Sequence, residues 1–403
     1  MFKNIIKVLF GNAFAQIIVL GTLPFVTRLY NPELFGIYGS VLSISIILSS
    51  ISTLRLEYGI LASDKNLIGS ILSTALAFLS LFSLLLFIIF KVIHYSYQEI
   101  NGFSSEKLMV VILMMMSFSF YILFSSVINK HENYKCLALS KVLQAAVMVT
   151  LQISLYYFFG ADVNNLIYAY TISFLLSSVY VVYHAKIIEL IRFNKKSLYF
   201  CFYKCKKIII YQTPASFINA ISQNVFILIM LALYGPVISG LYALANRMLL
   251  APCALIGKST RDVFIVEAAR LSSERSTLKK LYRKTVFTLI KISLPVFLAV
   301  AIFSPYLFGF VFGDEWQASG YIMSALSLWG IGLFCNAPAN ALVNIIDIQK
   351  SALLYEITYI TSRILIVFLM YFSSVGYLGA TIAFSLLGLL FNIGYIYYVY
   401  KKI

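Results

Sequence analysis

Charged residues are scarce in this sequence. Only 11% of its 403 residues are Asp, Glu, Lys or Arg, whereas 61% are hydrophobic. Soluble domains carry about one quarter charged residues. Because a water-facing globule could not cover so much apolar surface, the composition excludes an ordinary soluble domain and indicates a membrane protein.

Acidic residues are rarer than basic ones. The chain has 15 Asp and Glu against 31 Lys and Arg, which gives a formal net charge of +16. In a soluble protein such an excess favours a nucleic-acid partner. In a chain this apolar, basic residues are instead retained in the cytoplasmic loops. We therefore expect the lipid bilayer, and no nucleic acid, as a partner.

Histidine and cysteine are too few and too scattered to build a site. Of five cysteines only Cys201 and Cys205 share a helix face, and one such pair does not define a zinc site. The segment Gly257–Thr260 reads GKST like the end of a phosphate-binding loop, but Pro252 replaces the first glycine of that motif. We expect no metal, no cofactor, no catalytic residues and no enzyme activity.

Long apolar runs follow one another along the chain. A helix needs about 20 apolar residues to cross about 30 Å of hydrocarbon, and lipid offers no partner for open backbone groups. The runs are therefore predicted to be twelve transmembrane helices in an all-α polytopic membrane protein. They lie near 5–29, 37–63, 68–93, 108–130, 138–159, 164–190, 207–234, 237–265, 285–312, 318–345, 350–373 and 376–400.

Lysine and arginine concentrate in alternate loops. With twelve spans both termini face one side, and 21 of the 31 basic residues lie in loops on that side against 3 on the other. This asymmetry predicts that both termini are cytoplasmic. We expect an N-terminal six-helix bundle at 1–190, a basic cytoplasmic linker at 191–206 and a C-terminal six-helix bundle at 207–403. The basic stretch 267–284 is predicted to form a short helix on the inner headgroups.

One short polar motif occurs twice. Tyr30–Tyr38 (YNPELFGIY) and Tyr234–Tyr242 (YGPVISGLY) share Tyr-x-Pro-x-x-x-Gly-x-Tyr, 204 residues apart. Each copy joins the first and second span of a half, where proline stops a helix and glycine relieves crowding in a turn. Because six spans separate them, both copies face the outer side, as in a parallel repeat. We expect two homologous bundles around a central cavity, which is typical of transporters.

Basic residues inside the spans are the main candidates for substrate binding. A charge in mid-bilayer costs at least about 2.5–3.5 kcal/mol, so it usually faces water or a partner. The deepest are Arg55, Arg247, Lys291 and Arg363. Glu57 lies two residues from Arg55, and in a continuous helix their side chains point to different sides. A salt bridge between helices is the alternative for each cation.

Amide side chains provide a second set of candidates. Arginine suits phosphate, whereas amides can bond either a sugar or a neighbouring helix. Spans one and seven together carry Asn12, Gln16, Gln212, Asn219, Gln223 and Asn224. With Arg28 near the outer interface, Gln16 and Asn224 complete our set of cavity candidates. The combination suits an anionic, hydroxyl-rich ligand.

Several segments resemble one family of transporters. Leu23–Ile44 (LPFVTRLYNPELFGIYGSVLSI) and Arg55–Leu61 (RLEYGIL) resemble the Wzx or O-antigen flippases of the MOP superfamily, whose fold is MATE-like. Leu233–Leu249 and Phe312–Leu326 resemble that family's second-half segments. The resemblance implies a flippase in the bacterial inner membrane. Its substrate would be an undecaprenyl-pyrophosphate-linked repeat unit of O-antigen, capsule or exopolysaccharide, moved by alternating access with H⁺ or Na⁺ as an optional coupling ion.

Two other functions stay open at this stage. A cation-coupled multidrug or metabolite exporter of the same superfamily would need buried carboxylates, and the spans offer chiefly Glu57 and Glu356. A membrane-embedded polymerase or ligase usually has a large outer loop, whereas the longest here, about 94–107, is short. Besides the lipid-linked oligosaccharide and the bilayer, proteins of polysaccharide polymerisation and assembly are candidate partners.

Overall fold

The computed structural model describes residues 2–96, 105–191, 201–271, 274–343 and 345–403, and these residues form helices joined by short turns and loops. A 3₁₀ turn precedes α4, a π turn (Ile208–Gln212) precedes α9, and a second 3₁₀ turn precedes α11. The principal helices are α1 Phe2–Leu29, α2 Pro32–Ser52, α3 Leu56–Ala62, α4 Ile68–Ser96, α5 Ser105–Lys130, α6 Tyr134–Phe159, α7 Val163–His184, α8 Ile187–Leu190, α9 Thr213–Arg270, α10 Arg275–Phe312, α11 Gln317–Cys335, α12 Ala337–Leu342, α13 Gln349–Phe372 and α14 Tyr377–Lys402.

Eleven helical stretches in the described ranges are long and apolar enough to cross a membrane, so the chain is a multi-pass membrane protein. The seventh stretch, Ile208–Ala254, has 47 residues. At 1.5 Å per residue it would be about 70 Å long, more than twice the hydrocarbon thickness. The helix is interrupted at Gly235, whose φ of 85° and ψ of 175° are not helical. This stretch therefore contains two of the predicted runs.

The basic stretch 267–284 does not form the separate interfacial helix that we expected. Its first residues end α9, and its last ten begin α10, which has 38 residues and a length of about 57 Å. Leu278 and Tyr282 are buried in a cluster with the C-terminal helix α14. This packing holds the basic turns in line with the transmembrane part of α10.

Helix packing divides the chain into two compact units. Unit 1 comprises Met1–Tyr30 and Ile37–Leu228, and unit 2 comprises Asn31–Gly36 and Ile229–Ile403. In unit 1, α6 packs against α1 and α7, and α5 packs against α4 and α7. In unit 2, α11 packs against α10 and α14, and α13 packs against α14.

The first tyrosine of each motif copy makes matching contacts, each inside its own unit. In unit 1 the Tyr30 hydroxyl donates to the carbonyl of Gln152 at 2.8 Å, and its ring meets Tyr156 edge-on with centroids 5.7 Å apart. In unit 2 the Tyr234 hydroxyl donates to a carbonyl just after α13 at 3.2 Å, and its ring meets Tyr371 edge-on at 5.5 Å. Both partners lie on or beside the fifth predicted span of a half, which supports an internal repeat.

The prolines and glycines of the two copies meet within unit 2. A Cβ atom on Gly36 would lie 1.8 Å from the carbonyl oxygen of Pro236, and one on Gly240 would lie 1.8 Å from that of Pro32. The glycine of each copy thus faces the proline of the other. Both glycines lie in helices, so they permit close backbone approach and not, as we expected, a tight turn.

Candidate functional site

The second predicted span, 37–63, is broken near the end remote from the repeated motif. Helix α2 ends at Ser52 and α3 begins at Leu56, and between them Leu54 and Arg55 have φ values of 50° and 54°. A left-handed conformation costs a residue other than glycine about 1–3 kcal/mol, and such strain concentrates at functional sites. The break makes Arg55 the first candidate to consider.

Arg55 forms an ion pair across this break. Its Nη1 lies 3.0 Å from Oε1 of Glu57, and the Thr53 hydroxyl donates to Oε2 of Glu57 at 2.8 Å. The side chains of Arg55 and Glu57 are 20% and 8% exposed. Arg55 Nε is buried without a hydrogen-bond partner. The site is a partly exposed guanidinium with one spare donor, balanced by a buried carboxylate.

A row of polar side chains lies on the exposed side of the seventh stretch, within unit 1. Gln212, Asn219 and Gln223 are exposed, and Ser216 between them is half-buried. Their three- and four-residue spacing places them on one helix face. Asn219 and Gln223 bond each other, and Asn224 donates to a carbonyl of its own helix. Both bonds stay within one helix, so they do not join neighbouring helices.

The remaining candidates of unit 1 lie on α1. Gln16 is half-buried near the middle of the helix, and Arg28 is exposed in its last turn. Asn12, one turn before Gln16, accepts a hydrogen bond from Lys141 Nζ at 2.6 Å. Asn12 therefore links α1 to α6, as the alternative reading of the amides predicted.

The three cations of unit 2 differ in their surroundings. Arg247 is half-buried in α9, and no described carboxylate lies within ion-pair distance of it. Lys291 is exposed on α10 with its ammonium over the ring of Phe287 at 5.0 Å. Arg363 is only 4% exposed. Sequence reasoning missed the aromatic side chains around Arg363, of which only Tyr359, one turn earlier, was visible from spacing.

The described residues include no group of three or more His, Cys, Asp or Glu that could hold a metal ion. Cys201 and Cys205 are both buried. A hydrogen bond between the two thiols lowers the pKa of Cys201 to about 7 and raises the pKa of Cys205.

Unit 2 also contains an apolar cavity of about 280 Å³ between α9, α10 and α11. Apart from two serines and Cys253, its lining side chains are hydrocarbon, aromatic or methionine. Such a lining offers few donors to a phosphate or a sugar.

Comparison with known proteins agrees with this architecture. A profile of the family described as polysaccharide biosynthesis protein matches residues 6–320. The "Putative O-antigen transporter" of Shigella flexneri is 23% identical over 408 aligned positions, which cover 95% of this chain and 94% of that protein. The "Amylovoran biosynthesis protein AmsL" of Erwinia amylovora is 26% identical over 130 residues, 32% of this chain and 34% of that protein.

Solved transporter structures share the fold. The lipid II flippase MurJ, in an inward closed conformation, matches with a TM-score of 0.75 at 13% identity, over 100% of this chain and 88% of that one. An inward-facing MATE multidrug resistance transporter of the MOP superfamily matches with a TM-score of 0.65 at 15% identity, over 98% and 94%. The chain thus belongs to the polysaccharide biosynthesis protein family and is a multi-pass membrane protein of MurJ- and MATE-like fold.

Proposed function

We propose that this chain is a flippase for an undecaprenyl-pyrophosphate-linked oligosaccharide. It moves the repeat unit of a surface polysaccharide from the inner to the outer leaflet of the bacterial inner membrane by alternating access. The observation that carries the proposal is the exposed polar row of the seventh stretch, Gln212, Ser216, Asn219 and Gln223. Lipid cannot solvate exposed amides at membrane depth, so this face contacts water. A wet face lined with amides suits a hydroxyl-rich sugar.

Arg55 is suited to bind the anionic pyrophosphate of the same ligand. Its guanidinium is partly exposed and sits at a strained break, so a pyrophosphate can compete with Glu57 for it. The pairing also neutralises Glu57, one of the two carboxylates that a cation exporter would need. This favours a lipid-linked anion over a cationic drug as substrate.

The break at Gly235 supports a topology of twelve crossings. In this proposal the stretch Ile208–Ala254 crosses the membrane twice and both termini are cytoplasmic. The distribution of basic residues supports this orientation. Along the sequence the proposed halves are 1–190 and 207–403, joined by the basic linker 191–206, whereas the compact units divide after Leu228.

Export of surface polysaccharide is expected to fall in the variants Arg55→Ala and Arg247→Ala. Losing a charged hydrogen bond of about 1.5–3 kcal/mol slows translocation by about tenfold to a hundredfold. The measurement is surface polymer in a strain lacking the native gene, normalised to membrane-inserted protein. Lys350→Ala removes an exposed cation in the first turn of α13 and should export normally. Normal export in both arginine variants, or dye efflux in place of export, would reject the proposal.

Export is expected to depend on the amides in the exposed polar row and not on an amide elsewhere on the same helix. Asn219→Leu and Gln223→Leu each remove an exposed amide and should reduce export several-fold, because leucine repels water from the passage. Asn224→Leu is the matched control, since Asn224 is half-buried and lies off the exposed row. Equal losses in all three variants would indicate a helix defect and contradict the assignment of the row.

A further inference from the structure

Arg363 is a permanent cation held deep inside unit 2. It lies in α13, 14 residues after Gln349, so it is about 21 Å along a helix of about 36 Å. Its side chain is only 4% exposed. A charge buried at this depth needs a compensating group. Among the described residues, part of the guanidinium lacks such a group.

Aromatic rings fix the plane of the guanidinium. Its Cζ lies 3.3 Å from the ring centre of Phe384, 4.3 Å from that of Trp329 and 4.8 Å from that of Tyr359. A Cβ atom on Gly388 would lie 2.8 Å from Trp329 Cδ1 and 3.5 Å from Arg363 Cζ, so glycine leaves room for this stack. Three rings around one cation stabilise its charge, but they accept no in-plane hydrogen bond.

Only one of the three guanidinium nitrogens is bonded. Nη1 donates to the Tyr359 hydroxyl at 2.8 Å. Nε and Nη2 are both buried and have no hydrogen-bond partner. These two atoms form one edge of the guanidinium, the edge whose parallel N–H groups match the two oxygens of a carboxylate. A free bidentate edge is therefore already in place.

The negative charge that this edge requires does not come from a described carboxylate. Nε and Nη2 have no hydrogen-bond partner, so no carboxylate of the described residues accepts from them. Glu356, two turns before Arg363 on α13, attracts it electrostatically but is not within ion-pair distance. A buried guanidinium with two unmade hydrogen bonds is strongly disfavoured, so an exogenous acceptor would stabilise it.

We propose that Arg363 is the centre of a binding site for a small monovalent oxyanion of the carboxylate type. The anion accepts from Nε and Nη2 in the guanidinium plane, while the rings of Phe384 and Trp329, which meet edge-on at 5.8 Å, pack around the cation. One cation balances one charge, which selects a monovalent ligand, and the enclosure selects a small one. This site is distinct from the amide row and from Arg55, and it does not depend on the proposed transport function.

Trp329 makes the site observable. The chain has two tryptophans, so Trp316→Phe leaves Trp329 as the sole indole, stacked on the guanidinium. The purified variant is titrated with sodium formate at constant ionic strength, and sodium gluconate serves as a carboxylate too large to enter. We expect a saturable change in Trp329 emission with formate and none with gluconate.

Substitution of the arginine provides the decisive comparison. Adding Arg363→Gln, which removes the charge, or Arg363→Lys, which keeps the charge but loses the bidentate edge, should abolish the formate response. Adding Glu356→Gln should tighten formate binding, because it removes a nearby negative charge. A response that is absent in the Trp316→Phe protein, or unchanged by both Arg363 substitutions, would overturn the proposal. If neither substitution folds, the wild-type melting temperature decides, since it must rise saturably with formate and not with gluconate.

Discussion

Alanine at Gly36 or Gly240 is expected to destabilise the folded protein by about 3 kcal/mol or more, the upper range for overpacking. Each new methyl would lie 1.8 Å from a backbone carbonyl oxygen, where no flexible side chain can yield. The two helices must then separate, and they would lose the packing around Trp316, whose ring meets Phe35 edge-on at 5.1 Å. The measurement is thermal unfolding in detergent, together with the amount of protein recovered from membranes.

Two glycines elsewhere provide matched controls for this prediction. A Cβ atom on Gly21 in α1 or Gly394 in α14 would meet no atom within 4 Å, so alanine there should be neutral or slightly stabilising. The double variant at Gly36 and Gly240 should cost less than the sum of the single variants, because one helix separation relieves both clashes. Wild-type stability in either single variant would show that the close approach is not rigid.

Replacing Glu57 by alanine is expected to lower the free energy of unfolding by about 3 kcal/mol. Removing one partner of a buried ion pair leaves the other charge uncompensated, typically at about 3–5 kcal/mol. We take the lower end because Arg55 is 20% exposed and can gain water. Thr53 also loses the acceptor of its hydroxyl at 2.8 Å. The readout is the melting temperature in detergent at low and at high salt.

A double-mutant cycle separates this orphaned charge from loss of packing. In the Arg55→Ala/Glu57→Ala double variant no charge is left uncompensated, so it should be more stable than Glu57→Ala alone. Glu57→Gln preserves the shape of the side chain and one hydrogen-bond acceptor, so its stability should lie between those of wild type and Glu57→Ala. If the double variant is no more stable than Glu57→Ala, the carboxylate acts through packing and the ion pair has little weight.

The sequence predicts the helical stretches well because apolar runs of the required length leave few alternatives in lipid. Each of the eleven candidate spans overlaps at least one predicted run, and the longest covers two that meet at Gly235. The repeated motif also indicated a duplication, and the matching contacts of Tyr30 and Tyr234 support it. The function of the motif glycines was not predictable, because spacing along one chain does not show which other backbone comes close.

The break at Arg55 could not be predicted because neither glycine nor proline marks it. Leu54 and Arg55 adopt positive φ against their own preference, so the conformation must be imposed by surrounding contacts. One such contact joins the hydroxyls of Ser52 and Ser119 at 2.8 Å. In a continuous helix the side chains of Arg55 and Glu57 would point to different sides. The break brings them together, so helical spacing could not predict their ion pair.

The surroundings of Arg363 were also beyond sequence reasoning. Its position within a predicted span and its charge identified Arg363 as a candidate. Whether it can meet a ligand in water depends on the exposure of its side chain, which the sequence does not show. Trp329 and Phe384 come from α11 and α14, and their approach depends on the packing of three helices. A pattern along α13 alone could not distinguish an arginine open to water from one enclosed by rings.

Residues 31–36 are synthesised among the first of the chain but pack with helices that follow some 200 residues later. During synthesis this short segment is made long before its partners. It remains unpacked until Pro236 and Gly240 have been synthesised and inserted. Contacts between such distant parts of a chain form late. A polypeptide that starts at the linker would lack the segment altogether, and the surface around Trp316 would stay uncovered however well its own helices assembled.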